Sequence, residues 1–260
     1  ETTSPLGDPG RYDWTGPDEI ARFYFENGID LVWTISPFNS IDQGSPTPTG
    51  RLPNDLVAYA TFIEELAERY DGDGYRDAAG SPIVDHWQIH NEVDVGHFWS
   101  DTPENYALLY TTSHDAILSA NPDAKVALSG MSSPSGLDTF DLILAELSRV
   151  GARFDVFDLH WYGFVGNYEA HHLGDQESLA DFVNVELAAA LGGFSGFEVW
   201  VTECGTHSGT DVQVTSGLAP PQSEVDQASE LVKRYVHFLA NDVRKVFWLT
   251  IEETASYSIE

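Results

Sequence analysis

The sequence predicts an α/β fold built on a parallel sheet, and three observations carry that prediction. Short apolar runs alternate with amphipathic stretches of helical length along the whole chain. The runs are nearly continuous in apolar residues, which suits strands covered on both faces. Neither G-x-G-x-x-G nor G-x-x-x-x-G-K-[ST] occurs, so the phosphate turn of a nucleotide-binding doubly wound sheet is missing and a barrel is favoured.

The elements follow in order. "GPDEIARFYFENG" reads as a helix closed by Gly28. "IDLVWTI" (Ile29 to Ile35) is the first strand, and the Pro/Ser/Thr/Gly-rich stretch from Asn39 to Pro53 is a long loop. "PNDLVAYATFIEELAERY" sets Leu56, Tyr59, Phe62, Ile63 and Leu66 on one helical stripe. "DHWQIH" (Asp85 to His90) is the second strand. Thr102-Pro103-Glu104 then supplies an N-cap, a first-turn proline and first-turn acid for the next helix. "KVALSG" (Lys125 to Gly130), "VFDLHW" (Val156 to Trp161), "EVWVTE" (Glu198 to Glu203) and "KVFWLTI" (Lys245 to Ile251) complete six strands. The helices between them are "GLDTFDLILAELSRV", "ESLADFVNVELAAAL" and "SEVDQASELVKRYVHFLA". A (β/α)8 barrel needs eight strands in about 250 residues. The expectation is therefore one domain over residues 1–260: a TIM-type (β/α)8-like barrel, incomplete, with about six βα units and no last helix after "IEETASYSIE". Two explanations fit the shortfall: the missing units lie outside this chain, or two copies complete each other as a homodimer.

Composition narrows the function classes. The chain has 260 residues, 42% of them hydrophobic, and carries 42 acidic against 12 basic side chains for a net charge of -30. A phosphate backbone would be repelled, so no nucleic-acid partner is expected. No apolar run approaches the roughly 18 residues of a membrane span, so no membrane partner is expected either. The only Met is Met131, and a chain starting at Glu1 reads as a processed product or part of a longer one. The single Cys204 allows no internal disulfide. Acid dispersed along the chain with little Lys suits high ionic strength, where salt screens self-repulsion. We therefore expect the melting temperature to rise from low to molar NaCl, and a steady fall across that series would remove the salt-adapted reading.

In a parallel barrel the reactive groups gather where strands end. Those ends offer Phe38, Asn91-Glu92, Ser129, His160-Trp161-Tyr162, Glu203 and Trp248. Glu92 and Glu203 lie 111 residues apart, which spans three βα units at a normal repeat length of about 37 residues. That spacing can bring two carboxyl groups to one mouth, and a retaining glycosidase needs such a pair about 5 Å apart. One attacks the anomeric carbon while the other protonates the leaving oxygen and later activates water. Trp248, Trp161, Tyr162 and Phe38 offer flat faces for a sugar ring, Trp99 offers a further wall or a packed loop, and Asn91 and His160 offer hydrogen bonds to hydroxyls.

These motifs resemble clan A retaining glycoside hydrolases, particularly the β-xylosidase-like and cellulase-like members. "WQIHNEVD" resembles their Asn-Glu motif at the end of the fourth strand, and "VWVTECG" their Thr-Glu motif at the end of the seventh. "DLHWYG" and "KVFWLTI" look like the His-x-Tyr segment and the eighth-strand Trp. "YDWTGPDEIARFYFENGIDLVWTISPF" is similar to their second helix and third strand, so the likeness covers nearly the whole chain. The resemblance implies Glu92 as acid/base, Glu203 as nucleophile, Asn91 on the sugar 2-hydroxyl, Tyr162 on the nucleophile and Trp248 as the floor of the cleavage subsite. It implies a carbohydrate substrate and neither metal nor cofactor. It also implies an Arg from a second strand that this chain lacks, and it puts Val93 where the family carries Pro.

Other features have plainer readings. His90, Trp33, Trp87 and Trp200 are expected in packing, and Cys204 has no identified base. "YDGDGYRD" places Asp71, Asp73 and Asp77 like a calcium loop, but Gly74 and the missing terminal Glu break that pattern and favour a turn. Glu169, His171, His172 and Asp175 read as a polar loop. "SGMSSPSG" is not a serine-hydrolase elbow.

Overall fold

A computed structural model describes residues 12–38, 43, 50–162, 182–206, 208–209, 213–214, 217–218 and 221–249. The fold is α/β, an incomplete TIM-type barrel with six parallel strands among the described residues. It falls into two compact units: Glu1–Ser129 with Asp138–Val156, and Gly130–Leu137 with Phe157–Glu260.

The first unit carries helix α1 (Thr15–Glu26), strand β1 (Val32–Ile35), α2 (Leu56–Glu68), β2 (His86–Ile89), α3 (Pro103–Ala120), β3 (Lys125–Ala127) and most of α4 (Leu137–Val150). Strands β1, β2 and β3 pair in parallel in that order, and Val156 pairs with Ala127. The expected cap at Thr102 is present, accepting from the Asn105 N–H at 3.2 Å with Pro103 in the first turn, and Asp55 caps α2 in the same way, accepting from the Ala58 N–H at 2.9 Å. Tyr59, Ile63 and Leu66 of the α2 stripe are buried, while Leu56 and Phe62 are half-buried. Trp33 and Trp87 face each other across β1 and β2 with rings stacked 6.1 Å apart. Trp87 is fully buried and Trp33 only half-buried, because β1 has one strand beside it among the described residues of this unit. Buried tyrosines still satisfy their hydroxyls: Tyr106 donates to the Ile89 carbonyl at 2.9 Å, and Tyr110 to that of Val126 at 3.0 Å.

The second unit carries β4 (Val156–Tyr162, from Phe157 onward), β5 (Glu198–Gly205), a short antiparallel hairpin of β6 (Gln213–Val214) and β7 (Gly217–Leu218), helix α5 (Glu224–Ala240) and β8 (Val243–Trp248). The order is β4-β5-β8. Six successive residues of β4, Val156 to Trp161, are buried, as expected of a strand covered on both faces. Strand β8 differs. It starts two residues before the expected Lys245 and is half-exposed beyond Val243, since among the described residues β5 alone flanks it and Arg244 and Lys245 need solvent. The stretch expected as one helix from Glu177 is described only from Phe182, as a π-helical segment Phe182–Leu187 followed by one α turn, Ala188–Ala190. Ser223 and Asp226 form a reciprocal capping box at the start of α5. No helix among the described residues is long and apolar enough to cross a membrane.

Candidate active site

In the first unit, β2 runs out at a conformationally unusual tripeptide. His90 and Glu92 both have positive φ, 69° and 42°, on either side of Asn91. Left-handed backbone at non-glycine residues costs of order 1–3 kcal/mol each and clusters at functional sites. Surrounding bonds hold it: His90 N–H donates to the Ile35 carbonyl at 2.8 Å, and Val95 N–H closes a turn onto the Glu92 carbonyl at 2.9 Å. His90 is buried, and its Nδ1 lies 2.8 Å from the Asn91 N–H. Burial pushes its pKa down, so it packs as a neutral ring. Asn91 and Glu92 are half-buried. The departure at Val93 has a physical use: its N–H donates to Ser129 Oγ at 3.2 Å, a bond that proline could not make.

In the second unit, β4 alternates so that Asp158, His160 and Tyr162 share one face while Trp161 points to the other. Strand β5 supplies Glu203 through a bulge. Between the pairs Val201–Val246 and Cys204–Trp248, β5 advances three residues and β8 two. Such an extra residue re-aims side chains, and here it leaves adjacent Thr202 and Glu203 half-buried between buried neighbours. Tyr162 donates its hydroxyl to Glu203 Oε2 at 2.6 Å, and His160 Nδ1 lies 3.7 Å from the same oxygen. Trp248, paired with Cys204, stands half-exposed at the end of β8. Cys204 points away into the core, where burial pushes its thiol pKa up to about 12, so it is not a nucleophile at neutral pH.

The remaining expected residues sort as follows. Phe38 is 57% exposed and keeps an open apolar face. Trp99 does not: it is 4% exposed, its Nε1 donates to the Thr102 carbonyl at 3.3 Å, and its ring meets His90 and Tyr106 edge-on. The packed-loop reading of Trp99 holds, and the substrate wall is corrected. The carboxylates of Asp71, Asp73 and Asp77 accept from backbone N–H groups of Asp73, Tyr75 and Gly74, as a turn requires. Glu169, His171, His172, Asp175 and the segment from Thr250 lie outside the described residues.

Sequence reading passed over two members of the second-unit cluster. Asp158 is fully buried, accepts from Thr202 N–H at 2.9 Å and from the Thr202 hydroxyl at 2.5 Å, and lies 3.7 Å from His160 Nε2. Gly130 lies against the same pair; a β-carbon there would stand 2.1 Å from His160 Nε2 and 2.8 Å from Asp158 Oδ2. The signal for Asp158 was available: a carboxylate between Phe157 and Leu159 in an apolar strand, in phase with His160 and Tyr162.

Neither a protein-family model nor a curated protein matches the sequence. Solved structures do. A glucosidase from Croceicoccus marinus superposes with TM-score 0.70 at 18% identity, over 95% of this chain and 48% of that one. A GH39 β-xylosidase from Caulobacter crescentus gives TM-score 0.61 at 19% identity, over 92% and 50%. A family 39 glycoside hydrolase from Bacteroides cellulosilyticus gives 0.63 at 18%, over 95% and 48%. This chain has the fold of those glycosidases. It spans about half the length of each.

Proposed function

We propose that this chain carries the catalytic residues of a retaining glycoside hydrolase acting on β-linked sugars, with Glu203 as nucleophile and Glu92 as acid/base. The observation that carries the reading is the setting of Glu203: a strand-end carboxylate, one quarter exposed, placed by a bulge and held by the Tyr162 hydroxyl at 2.6 Å. A nucleophile needs a held rotamer and access to substrate, and a partly exposed carboxylate bonded by the Tyr162 hydroxyl supports that reading. In the first step Glu203 forms the glycosyl ester as Glu92 gives its proton to the leaving oxygen. In the second, Glu92 takes a proton from water, which displaces Glu203 and restores the starting configuration. Asn91 takes the 2-hydroxyl, and Trp248 and Phe38 offer ring faces to the sugar.

A panel of aryl β-glycosides assayed from low to molar NaCl tests the reading. Turnover is expected, with the β-anomer as the first product by NMR. Sugar binding without turnover would replace the enzyme by a non-catalytic carbohydrate-binding barrel, and an α-anomer first product would replace double displacement by inversion.

A further inference from the structure

We propose that Ser129 and Tyr106 are positioning residues for Glu92, clamping at both ends the turn that carries it. The clamp lies wholly within the first unit; only its catalytic consequence rests on Glu92 being the acid/base.

The turn needs holding. His90 and Glu92 occupy the left-handed region, with φ of 69° and 42°. Side chains other than glycine stay there only where the surroundings over-determine the backbone. Ahead of the turn, the Tyr106 hydroxyl donates to the Ile89 carbonyl at 2.9 Å. Behind it, Val93 N–H donates to Ser129 Oγ at 3.2 Å. The two ends are tied together, because Ser129 N–H donates to the Tyr106 hydroxyl oxygen at 2.6 Å. One hydroxyl gives its proton to Ile89 and accepts from Ser129, which its single proton and two lone pairs allow. The bonds and the chain close a ring that runs from Ile89 through the turn to Val93, then to Ser129 and Tyr106.

Water has no part in this ring. Ile89, Tyr106 and Ser129 are fully buried and Val93 is 4% exposed. A bond lost here leaves a buried polar group unpaired, so each bond holds the turn more firmly than it would at the surface. Its supports are also rigid. Tyr106 stands near the start of α3, and Ser129 follows β3 directly after Leu128, whose N–H donates to the Val156 carbonyl at 3.0 Å. Groups set on helices and strands hold a neighbouring side chain more closely than groups on loops do.

The consequence concerns proton delivery. Glu92 has to meet the leaving oxygen within hydrogen-bond reach as the glycosidic bond breaks. Ser129 and Tyr106 act on it only through the backbone at either side. Slackening the turn therefore costs most where the proton matters most, on poor leaving groups.

Amide exchange at Val93, followed by NMR on the full chain, tests the clamp without any substrate. Ser129→Ala deletes the acceptor and should speed that exchange about 5- to 10-fold, the worth of one hydrogen bond. The Lys125 amide, bonded to the Asp85 carbonyl at 2.7 Å, should keep its rate. Tyr106→Phe keeps the ring and should speed exchange at Ser129, which decides the matter if Ser129→Ala does not fold. An unchanged Val93 rate in Ser129→Ala, or an unchanged Ser129 rate in Tyr106→Phe, overturns the proposal. In activity, the readout is kcat/KM, which reports the first chemical step. Ser129→Ala should lower it roughly 10- to 100-fold on alkyl β-glycosides and hardly at all on aryl glycosides with acidic phenols. A merely destabilised fold would lower both alike. Equal losses, or none, while Glu92→Gln shows the split overturn this inference and leave the glycosidase reading standing. Faster Val93 exchange in Ser129→Ala, in a chain that cleaves no glycoside, upholds the clamp and removes that reading.

Discussion

Glu203→Gln is expected to abolish glycoside turnover, lowering kcat by roughly 10³-fold or more, equivalent to about 4 kcal/mol of activation free energy. The substitution is close to isosteric, and the amide oxygen still accepts from Tyr162, so the fold and the hydrogen bond at 2.6 Å survive while the nucleophile is lost. Melting temperature and sugar binding should therefore stay near those of the unmodified chain. The covalent intermediate can be trapped directly. A 2-fluoro β-glycoside with a good leaving group should form a stable ester, and peptide mass spectrometry should place the label on Glu203. A label on any other residue removes Glu203 from the role. Glu92→Gln should behave differently, because an acid matters most when the leaving group is poor. Aryl glycosides with acidic phenols should lose little in the first step, and alkyl glycosides nearly everything. Equal losses on both would mean that Glu92 does not deliver the proton.

Much of this was legible in the sequence because it rests on short-range pattern. The strand before Asn91-Glu92 is short and of the right length around Trp87 and Ile89, and the helix cap at Thr102 is local chemistry. What escaped depends on contacts far apart in sequence. The bulge that turns Glu203 is set by pairing with β8, and no local feature of "VWVTECG" announces it. The edge strand β8 was misplaced by two residues because its apolar run centres on Phe247 and Trp248, while Val243 is the residue that packs. Trp99 illustrates the limit for aromatics. A tryptophan near a strand mouth suits a sugar as well as it suits a core, and only its neighbours His90 and Tyr106 decide. Asp158 was passed over for another reason: buried carboxylates are rare, and a single apolar run invites averaging over the one residue that breaks it.

Arg234→Met should destabilise the protein by about 3 kcal/mol, which lowers the melting temperature by roughly 10 °C. Arg234 lies on α5 with no side-chain exposure, 3.5 Å from Glu230 one turn earlier, whose side chain is 1% exposed. It also donates through Nη1 to the Trp161 carbonyl at 3.3 Å, at the step of β4 between His160 and Tyr162. Removing the guanidinium leaves the Glu230 carboxylate buried, with Lys233 Nζ at 3.4 Å as its remaining charged neighbour. Lys233 is 39% exposed, so solvent weakens its support. The penalty therefore comes mainly from an uncompensated charge and not from the lost attraction. The double variant Glu230→Gln with Arg234→Met removes that charge and should recover most of the stability, giving a strongly non-additive double-mutant cycle. A single variant within about 1 kcal/mol of the unmodified chain by urea unfolding would show that Glu230 is not held as a buried charge. The same variant bears on the chemistry. Loss of the bond to Trp161 loosens the strand that presents His160 and Tyr162 to Glu203, so kcat should fall even at temperatures where the chain remains folded.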